Sequence, residues 1–216
     1  MKKTLIFDLD GTVLDTLKDL QNSVNFALKS YNFRQKSLED VRNSVGNGLK
    51  MLIRRTLPTE ADEMTVYQVL STMKEHYRLH CHDETAPYDG VPELLHRLHT
   101  EGFRMAIVSN KADAMTKELH RVFFSDTIQV AIGETERLHR KPAPDMVFEA
   151  LRQLGTEQSD AICIGDSEVD IETARNAGLP CLSVGWGFRS EEALLAAGAG
   201  TLCRTPQELY EAIKGA

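Results

Sequence analysis

Beyond residue 90 the chain alternates between two patterns. Arg104-Met105-Ala106-Ile107-Val108, Ile128 to Ile132, Ala161-Ile162-Cys163-Ile164, Pro180 to Val184 and Thr201 to Cys203 are short apolar runs, too brief for helices. Between them lie stretches with apolar residues at helical spacing: 92–101 (Leu94, Leu95, Leu98), a segment carrying Met115, Leu119 and Val122, then 145–154, Glu172 to Ala177 and Glu191 to Ala197. Runs that are apolar throughout suit strands buried on both faces, and their alternation with helices predicts a parallel sheet. Glycines at 102, 155 and 178 stand where those helices must stop. Thr205-Pro206-Gln207-Glu208 reads as a capping box with proline in the first turn, opening a last helix. Thr4-Leu5-Ile6-Phe7 adds one more buried strand at the N-terminus. The fold class is α/β, a Rossmann-like doubly wound parallel sheet.

Residues 15–84 break that rhythm. Leu17, Leu20, Val24, Ala27, Leu28 and Tyr31 recur at helical spacing, with Asp15 or Thr16 placed to cap the start. Ser37-Leu38-Glu39-Asp40 opens a second helix, and Gly46-Asn47-Gly48 ends it. A third carries Leu49, Leu52, Ile53 and Leu57, and a fourth runs to about Leu79. No strand interrupts them, so this stretch reads as a small helical domain inserted into the sheet domain. The expected organisation is a core of 1–14 and 85–216 with a helical cap of 15–84.

Composition narrows the partners. The 216 residues carry a formal net charge of −7 and no long basic run, which argues against a nucleic-acid backbone as ligand. No apolar run approaches the length of a membrane span, and Asp8 and Asp10 interrupt the one N-terminal stretch that begins like a signal peptide. Cys81, Cys163, Cys181 and Cys203 are scattered without a CxxC, as expected of buried thiols rather than a disulfide framework or zinc site. A cytoplasmic protein without membrane contact, monomeric or homodimeric, is the expectation.

Four polar clusters sit where strands or loops should deliver groups to one edge. Asp8 and Asp10 follow the first strand at i and i+2, on one side of an extended chain, with Gly11 permitting a sharp change of direction. Two carboxylates so close repel unless a cation joins them, and oxygen ligands suit Mg²⁺. Read alone, the pattern also fits a solvated Asp-Gly turn. Ser109-Asn110-Lys111 follows the next strand and offers a hydroxyl and backbone N–H groups for an anion, or simply a helix cap. Lys141-Pro142-Ala143-Pro144 holds a lysine on a stiff backbone. Ile164-Gly165-Asp166-Ser167-Glu168-Val169-Asp170 again delivers carboxylates after an apolar strand. Each is weak; together, at the carboxyl ends of β/α units, they mark a ligand site.

DxDGTxxDT, SNK, KPxP and GDSxxD, in this order, resemble the four signature motifs of the haloacid dehalogenase superfamily of phosphohydrolases, and the helical insert is similar to its C1-type cap. The resemblance covers essentially the whole chain. It implies that Asp8 is the nucleophile forming an aspartyl-phosphate, and that Asp10 is the general acid and then base. It implies further that Ser109 and the N–H groups of Gly11 and Asn110 hold phosphoryl oxygens, while Lys141 offsets charge. Mg²⁺ would be bound by Asp8, the Asp10 carbonyl and Asp166, with Asp170 as ligand or support. Physics agrees: a carboxylate approaching a phosphate needs positive charge nearby.

The cap should choose the substrate. Val45-Gly46-Asn47-Gly48 with Leu52-Ile53-Arg54-Arg55, and Gly185-Trp186-Gly187-Phe188-Arg189, look like the phosphoglycolate phosphatase branch. Gly46, Asn47 and Gly48 are therefore candidate substrate contacts, although a helix–helix turn explains them equally well. Lys50 sits where phosphonate hydrolases of the superfamily carry a Schiff-base lysine, but reads as a solvated helix residue. His76, His80, His82 and Asp83 could chelate a metal but read better as polar surface. The expectation is a Mg²⁺-dependent phosphatase of a small phosphorylated metabolite, phosphoglycolate first. The rivals are a mutase of the β-phosphoglucomutase type, an inorganic pyrophosphatase, or a non-catalytic binding module on the same fold.

Overall fold

The structure is a computed structural model describing residues 2–46 and 48–216. In chain order its elements are β1 (Thr4–Phe7), β2 (Leu14–Asp15), α1 (Leu17–Ser30), α2 (Leu38–Ser44), α3 (Leu49–Thr56), α4 (Glu63–His80), β3 (Ala86–Pro87), α5 (Val91–Thr100), β4 (Arg104–Ala112) and α6 (Asp113–Phe123). There follow β5 (Val130–Glu134), α7 (Asp145–Leu154), a 3-10 turn at Gln158–Asp160, β6 (Ala161–Gly165), α8 (Glu168–Asn176), β7 (Cys181–Val184), α9 (Glu191–Ala196), β8 (Thr201–Cys203) and α10 (Pro206–Gly215). They form two compact units, one of Met1–Asp15 with Pro87–Ala216 and one of Thr16–Ala86.

The first unit is built on a six-stranded sheet in the order β5-β4-β1-β6-β7-β8, with every neighbouring pair parallel. β1 occupies the interior of this order because its four residues are all buried. An apolar run with no polar face is stable only where helices cover both sides. Alternate residues then divide between the two layers. Ile6, Ala106, Val108, Ala161 and Cys163 pack on one face with Val147, Leu151 and Leu154 of α7 and Ala174 of α8. Leu5, Phe7, Met105 and Ile107 are the intervening residues and are just as buried. Each such side chain contributes roughly 1.5–3 kcal/mol through burial. α7 occupies the predicted 145–154, buries Met146, Val147, Ala150, Leu151 and Leu154, and ends at Gly155 with φ 65°.

The second unit is helical throughout. Ser37 caps α2 by accepting from the Asp40 N–H at 3.1 Å, while the Asp40 carboxylate accepts from the Ser37 N–H at 3.0 Å. Asp62 caps α4 through the Thr65 N–H at 2.7 Å. Asp19, buried on α1, accepts three N–H bonds from Glu84 and Thr85 and so fastens the far end of the unit. The histidines join this packing: His76 is hydrogen-bonded to the Ser23 hydroxyl at 3.0 Å, His80 to Asp83 at 2.7 Å, and Phe26, His76 and His80 stack in series. No described helix is long and apolar enough to cross a membrane.

Three local expectations need correction. The helix expected from Glu172 begins at Glu168, because Ser167 and Asp170 form a capping box that extends it by a turn. Val122 is exposed, and Phe124 just beyond α6 is buried instead. At Thr205 only half of the capping box is made: its hydroxyl accepts from the Glu208 N–H, whereas the Glu208 carboxylate takes the Arg204 N–H at 2.7 Å. The four cysteines are free thiols, with Cys163 and Cys181 opposite each other in the β6–β7 register.

Candidate active site

Register places the motifs. Phe7 of β1 is level with Ile107 of β4 and Ile164 of β6. The residues that follow, Asp8, Val108-Ser109 and Gly165-Asp166, therefore lie level with one another just past the end of β1. This is the carboxyl edge, where parallel sheets open a crevice between diverging connections.

At that edge Asp8, Asp166 and Asp170 each offer a carboxylate oxygen within 4.8 Å of the others, the one such acidic group among the described residues. The Lys141 ammonium lies between two of them, 2.8 Å from Asp8 and 2.7 Å from Asp170, with its side chain 5% exposed. Asp170 is itself held from behind, since its other oxygen accepts from the Ser167 N–H at 3.2 Å and the Ser167 hydroxyl at 2.5 Å. The turn of helix that sequence periodicity missed is thus the device that aims Asp170. Asp166 accepts the Phe188 N–H at 2.7 Å and the Thr12 hydroxyl at 3.4 Å. Asp8 accepts the Leu9 N–H at 2.7 Å.

The electrostatics match this crowding. Burial, and then the charge of Asp170, push Asp8 up to about 7 against the pull of Lys141. Burial, with Asp170 and Asp8 adding to it, holds Asp166 well above the ordinary carboxylate range. Burial opposes the charge of Lys141, but Asp170 and Asp8 outweigh it and raise its pKa. Several acids around one ammonium leave the cluster short of positive charge, which is the donor set that suits a hard divalent cation.

Asp10 is placed differently. Its side chain is not in the acidic trio; Oδ1 is 2.7 Å from the Lys111 ammonium, whose side chain is 7% exposed. Lys111 carried no assigned role in the sequence, where a third residue of SNK looks like the start of a helix. Asn110 clamps the other lysine: its amide donates to the Lys141 carbonyl at 2.9 Å and its carbonyl accepts the Lys141 N–H at 2.7 Å. Ser109 is buried, its hydroxyl accepting the Lys111 N–H at 3.2 Å.

Glycines bring the backbone up to the acids. Gly11 has φ 86°, and a Cβ there would stand 2.4 Å from the Asp166 carboxylate. A Cβ on Gly187 would meet the Asp166 Cβ at 2.3 Å and the Gly11 carbonyl at 2.4 Å. Trp186 secures the same loop by donating its indole N–H to the Thr12 carbonyl at 3.0 Å. The Gly-Trp-Gly spacing was a legible signal for this approach, but not for its target.

In the helical unit, Gly46 and Gly48 have φ 117° and 84°, and Gly48 caps α3. Asn47 lies outside the described residues. Arg55 donates to the carbonyls of Ser44 and Gly46 at 3.0 and 3.1 Å. Arg54 pairs with Glu63, as does Lys50 at 3.1 Å.

Known proteins carry the same plan. The chain is 32% identical to a phosphoglycolate phosphatase of Colwellia psychrerythraea over 198 residues, 88% of each protein. It is 28% identical to that of Aquifex aeolicus over 187 residues, 86% of each. The crystal structure of a candidate phosphoglycolate phosphatase from Lactobacillus delbrueckii subsp. bulgaricus matches with a TM-score of 0.94 and 35% identity, over 99% of both chains. The family model described as haloacid dehalogenase-like hydrolase matches residues 5–184. With its signature residues gathered at one sheet edge, this chain belongs to the haloacid dehalogenase-like hydrolase family.

Proposed function

We propose that this enzyme is a Mg²⁺-dependent hydrolase of small phosphomonoesters, with phosphoglycolate as its first candidate substrate and Asp8 as its nucleophile. The observation that carries the reading is the Asp8–Lys141–Asp170 chain beside Asp166, four buried or half-buried charges at one sheet edge. Relatives named phosphoglycolate phosphatase supply the substrate candidate. A cytoplasmic location is part of the same proposal.

Asp8, Asp166 and Asp170 are the residues that would hold Mg²⁺, and the ion would supply positive charge to the approach of nucleophile and phosphate. The chain's own groups do the rest. An Asp8 oxygen attacks phosphorus and the bond to the alcohol oxygen breaks, Asp10 giving that oxygen its proton. Water then attacks the aspartyl-phosphate, Asp10 taking its proton, and phosphate leaves with the Asp8 carboxylate restored. Lys141 stays charged throughout and counters the charge gathering on the transferring group. Ser109 and the N–H groups of Gly11 and Asn110 are the proposed phosphoryl contacts.

The test is phosphate release from a panel of phosphoglycolate, pyrophosphate, sugar phosphates and a glycerol phosphate, with and without Mg²⁺. Mg²⁺-dependent release from phosphoglycolate far above the rest is the expected result. Equal weak release across the panel would remove phosphoglycolate as the substrate, and isomerised sugar phosphate without free phosphate would replace hydrolysis by transfer.

The acidic cluster sets a pH dependence. Asp8 rises on folding from 3.8 to about 7, so between those values the folded, metal-free protein holds a proton that the unfolded chain has released. Stability of the metal-free protein therefore falls as pH rises through that window, and the raised Asp166 adds to the fall. A cation must displace the proton at the lower end. Mg²⁺ is expected to raise the melting temperature more at about pH 8 than at about pH 6, as read by scanning calorimetry. An equal or larger shift at the lower pH would contradict this reading.

A further inference from the structure

We infer that the Asn110 side chain is a positioning residue for Lys141, fixing the backbone from which the ammonium reaches the acids. The inference rests on the reading of Lys141 as counter-charge to the transferring group and adds the part that holds it in place. Three observations carry it. Lys141 is buried, yet it ends an exposed connection in which residues 134–137, His139 and Arg140 all face solvent. It stands outside every strand and helix, in a turn closed by the Ala143 N–H donating to the Arg140 carbonyl at 3.0 Å. Its own N–H and carbonyl therefore lack ladder or helix bonds, and such groups on a buried residue need other partners. The Asn110 amide meets both, accepting the N–H at 2.7 Å and donating to the carbonyl at 2.9 Å. Asn176, the last residue of α8, donates to the Pro142 carbonyl at 2.9 Å, so the next residue is fastened as well. At the far end of the side chain, the ammonium lies 2.8 Å from Asp8 and 2.7 Å from Asp170.

The chemistry explains the residue type. A side-chain amide presents a donor and an acceptor together, which is what one residue's N–H and carbonyl require, whereas a carboxylate offers acceptors alone. Asn110 also stands in β4 beside Ser109, so its side chain ties the lysine's connection to the strand that carries the proposed phosphoryl contacts. A fixed charge lowers a barrier only when it is held where negative charge gathers, and a misplacement of about 1 Å can cost about 100-fold. A lysine on an untethered connection would move with that connection.

The experiment is a double-mutant cycle of Asn110→Ala and Lys141→Met, read with p-nitrophenyl phosphate in Mg²⁺ so that it does not depend on phosphoglycolate being the substrate. Asn110→Ala alone is expected to lower kcat by about 10–100-fold and to change KM by less than about threefold. Made in the Lys141→Met protein, where no ammonium is left to position, the same change should lower kcat by less than about threefold. An equal factor in both backgrounds would overturn the inference, since Asn110 would then act without the lysine. A loss confined to KM would overturn it too, by making Asn110 a substrate contact. Metal-free protein gives a second readout by denaturant titration: Lys141→Met should destabilise the Asn110→Ala protein less than it destabilises the parent, and an equal loss would count against the inference. Asn110→Ser repeats both measurements with a smaller void, so that an unfolded Asn110→Ala protein still leaves a result. If Lys141→Met by itself leaves kcat unchanged, the counter-charge reading has failed. If it lowers kcat and the two changes multiply, the inference about Asn110 fails alone.

Discussion

Asp8→Asn is expected to abolish turnover while leaving the fold intact. An amide oxygen is a poor nucleophile and cannot carry an acyl phosphate, so kcat should fall by at least about 10⁴-fold, as when a nucleophile is removed from other covalent enzymes. The fold should survive because the ionised Asp8 is held against both burial and Asp170, which is why its pKa stands near 7. Removing that charge relieves a repulsion while Lys141 keeps Asp170 at 2.7 Å. The melting temperature of the metal-free variant at neutral pH should therefore match or exceed the parent's. Phosphate release and scanning calorimetry on one preparation check both halves. Surviving turnover would remove Asp8 from the nucleophile's role, and an unfolded variant would contradict the electrostatic account.

Lys141→Met should damage activity and stability together. Methionine fills similar space, so packing is preserved and the loss is one of charge. Asp8, Asp166 and Asp170 would then be buried near one another without their shared cation. Breaking a buried ion pair in this way costs about 3–5 kcal/mol. Losing a fixed charge aimed at a transferring group costs about 10²–10³ in kcat. The stability deficit has a sign with pH. Lys141 pulls Asp8 and Asp166 downward, so without it both hold their protons to higher pH. The folded variant then binds still more protons than the unfolded chain, and its stability falls more steeply as pH rises. Denaturant titrations at about pH 5 and about pH 8 should show the larger deficit at the higher pH. A deficit that is equal at both would contradict the pull of Lys141 on Asp8 and Asp166.

Much of the scaffold was legible because it rests on local rules. β1 and α7 were readable from apolar periodicity, and the end of α7 from Gly155, since a left-handed residue at that point favours glycine. The start of α8 was not, because Asp170 read as a candidate metal ligand and its second use, closing a capping box with Ser167, leaves no mark in the apolar periodicity. Asp170 serves both ends: one oxygen closes the helix, and the other meets Lys141.

The site divides in the same way. Asp8, Asp10, Asp166 and Asp170 stood out as charged residues after apolar strands, and Lys141 by the prolines that follow it, which are patterns in one dimension. Their partners did not. Asn110 bonds to the backbone of a residue 31 positions away, and Thr12 to a carboxylate 154 positions away. Gly187 is required by the Asp166 side chain, and no local feature of the chain names that neighbour.

The sequence by itself determined the strand and helix order, the helical insert and the set of charged residues, because those depend on periodicity and on residue chemistry. Only the tertiary structure decided how the charges pair. Parallel register brings Phe7, Ile107 and Ile164 level, and beyond them Asp8 and Asp166 come together with Asp170, their carboxylate oxygens within 4.8 Å of one another. Two lysines and four carboxylates could be joined in several ways. Burial selects the one in which Lys141 serves Asp8 and Asp170 while Lys111 serves Asp10, since a charge withdrawn from water must be met by another at short range.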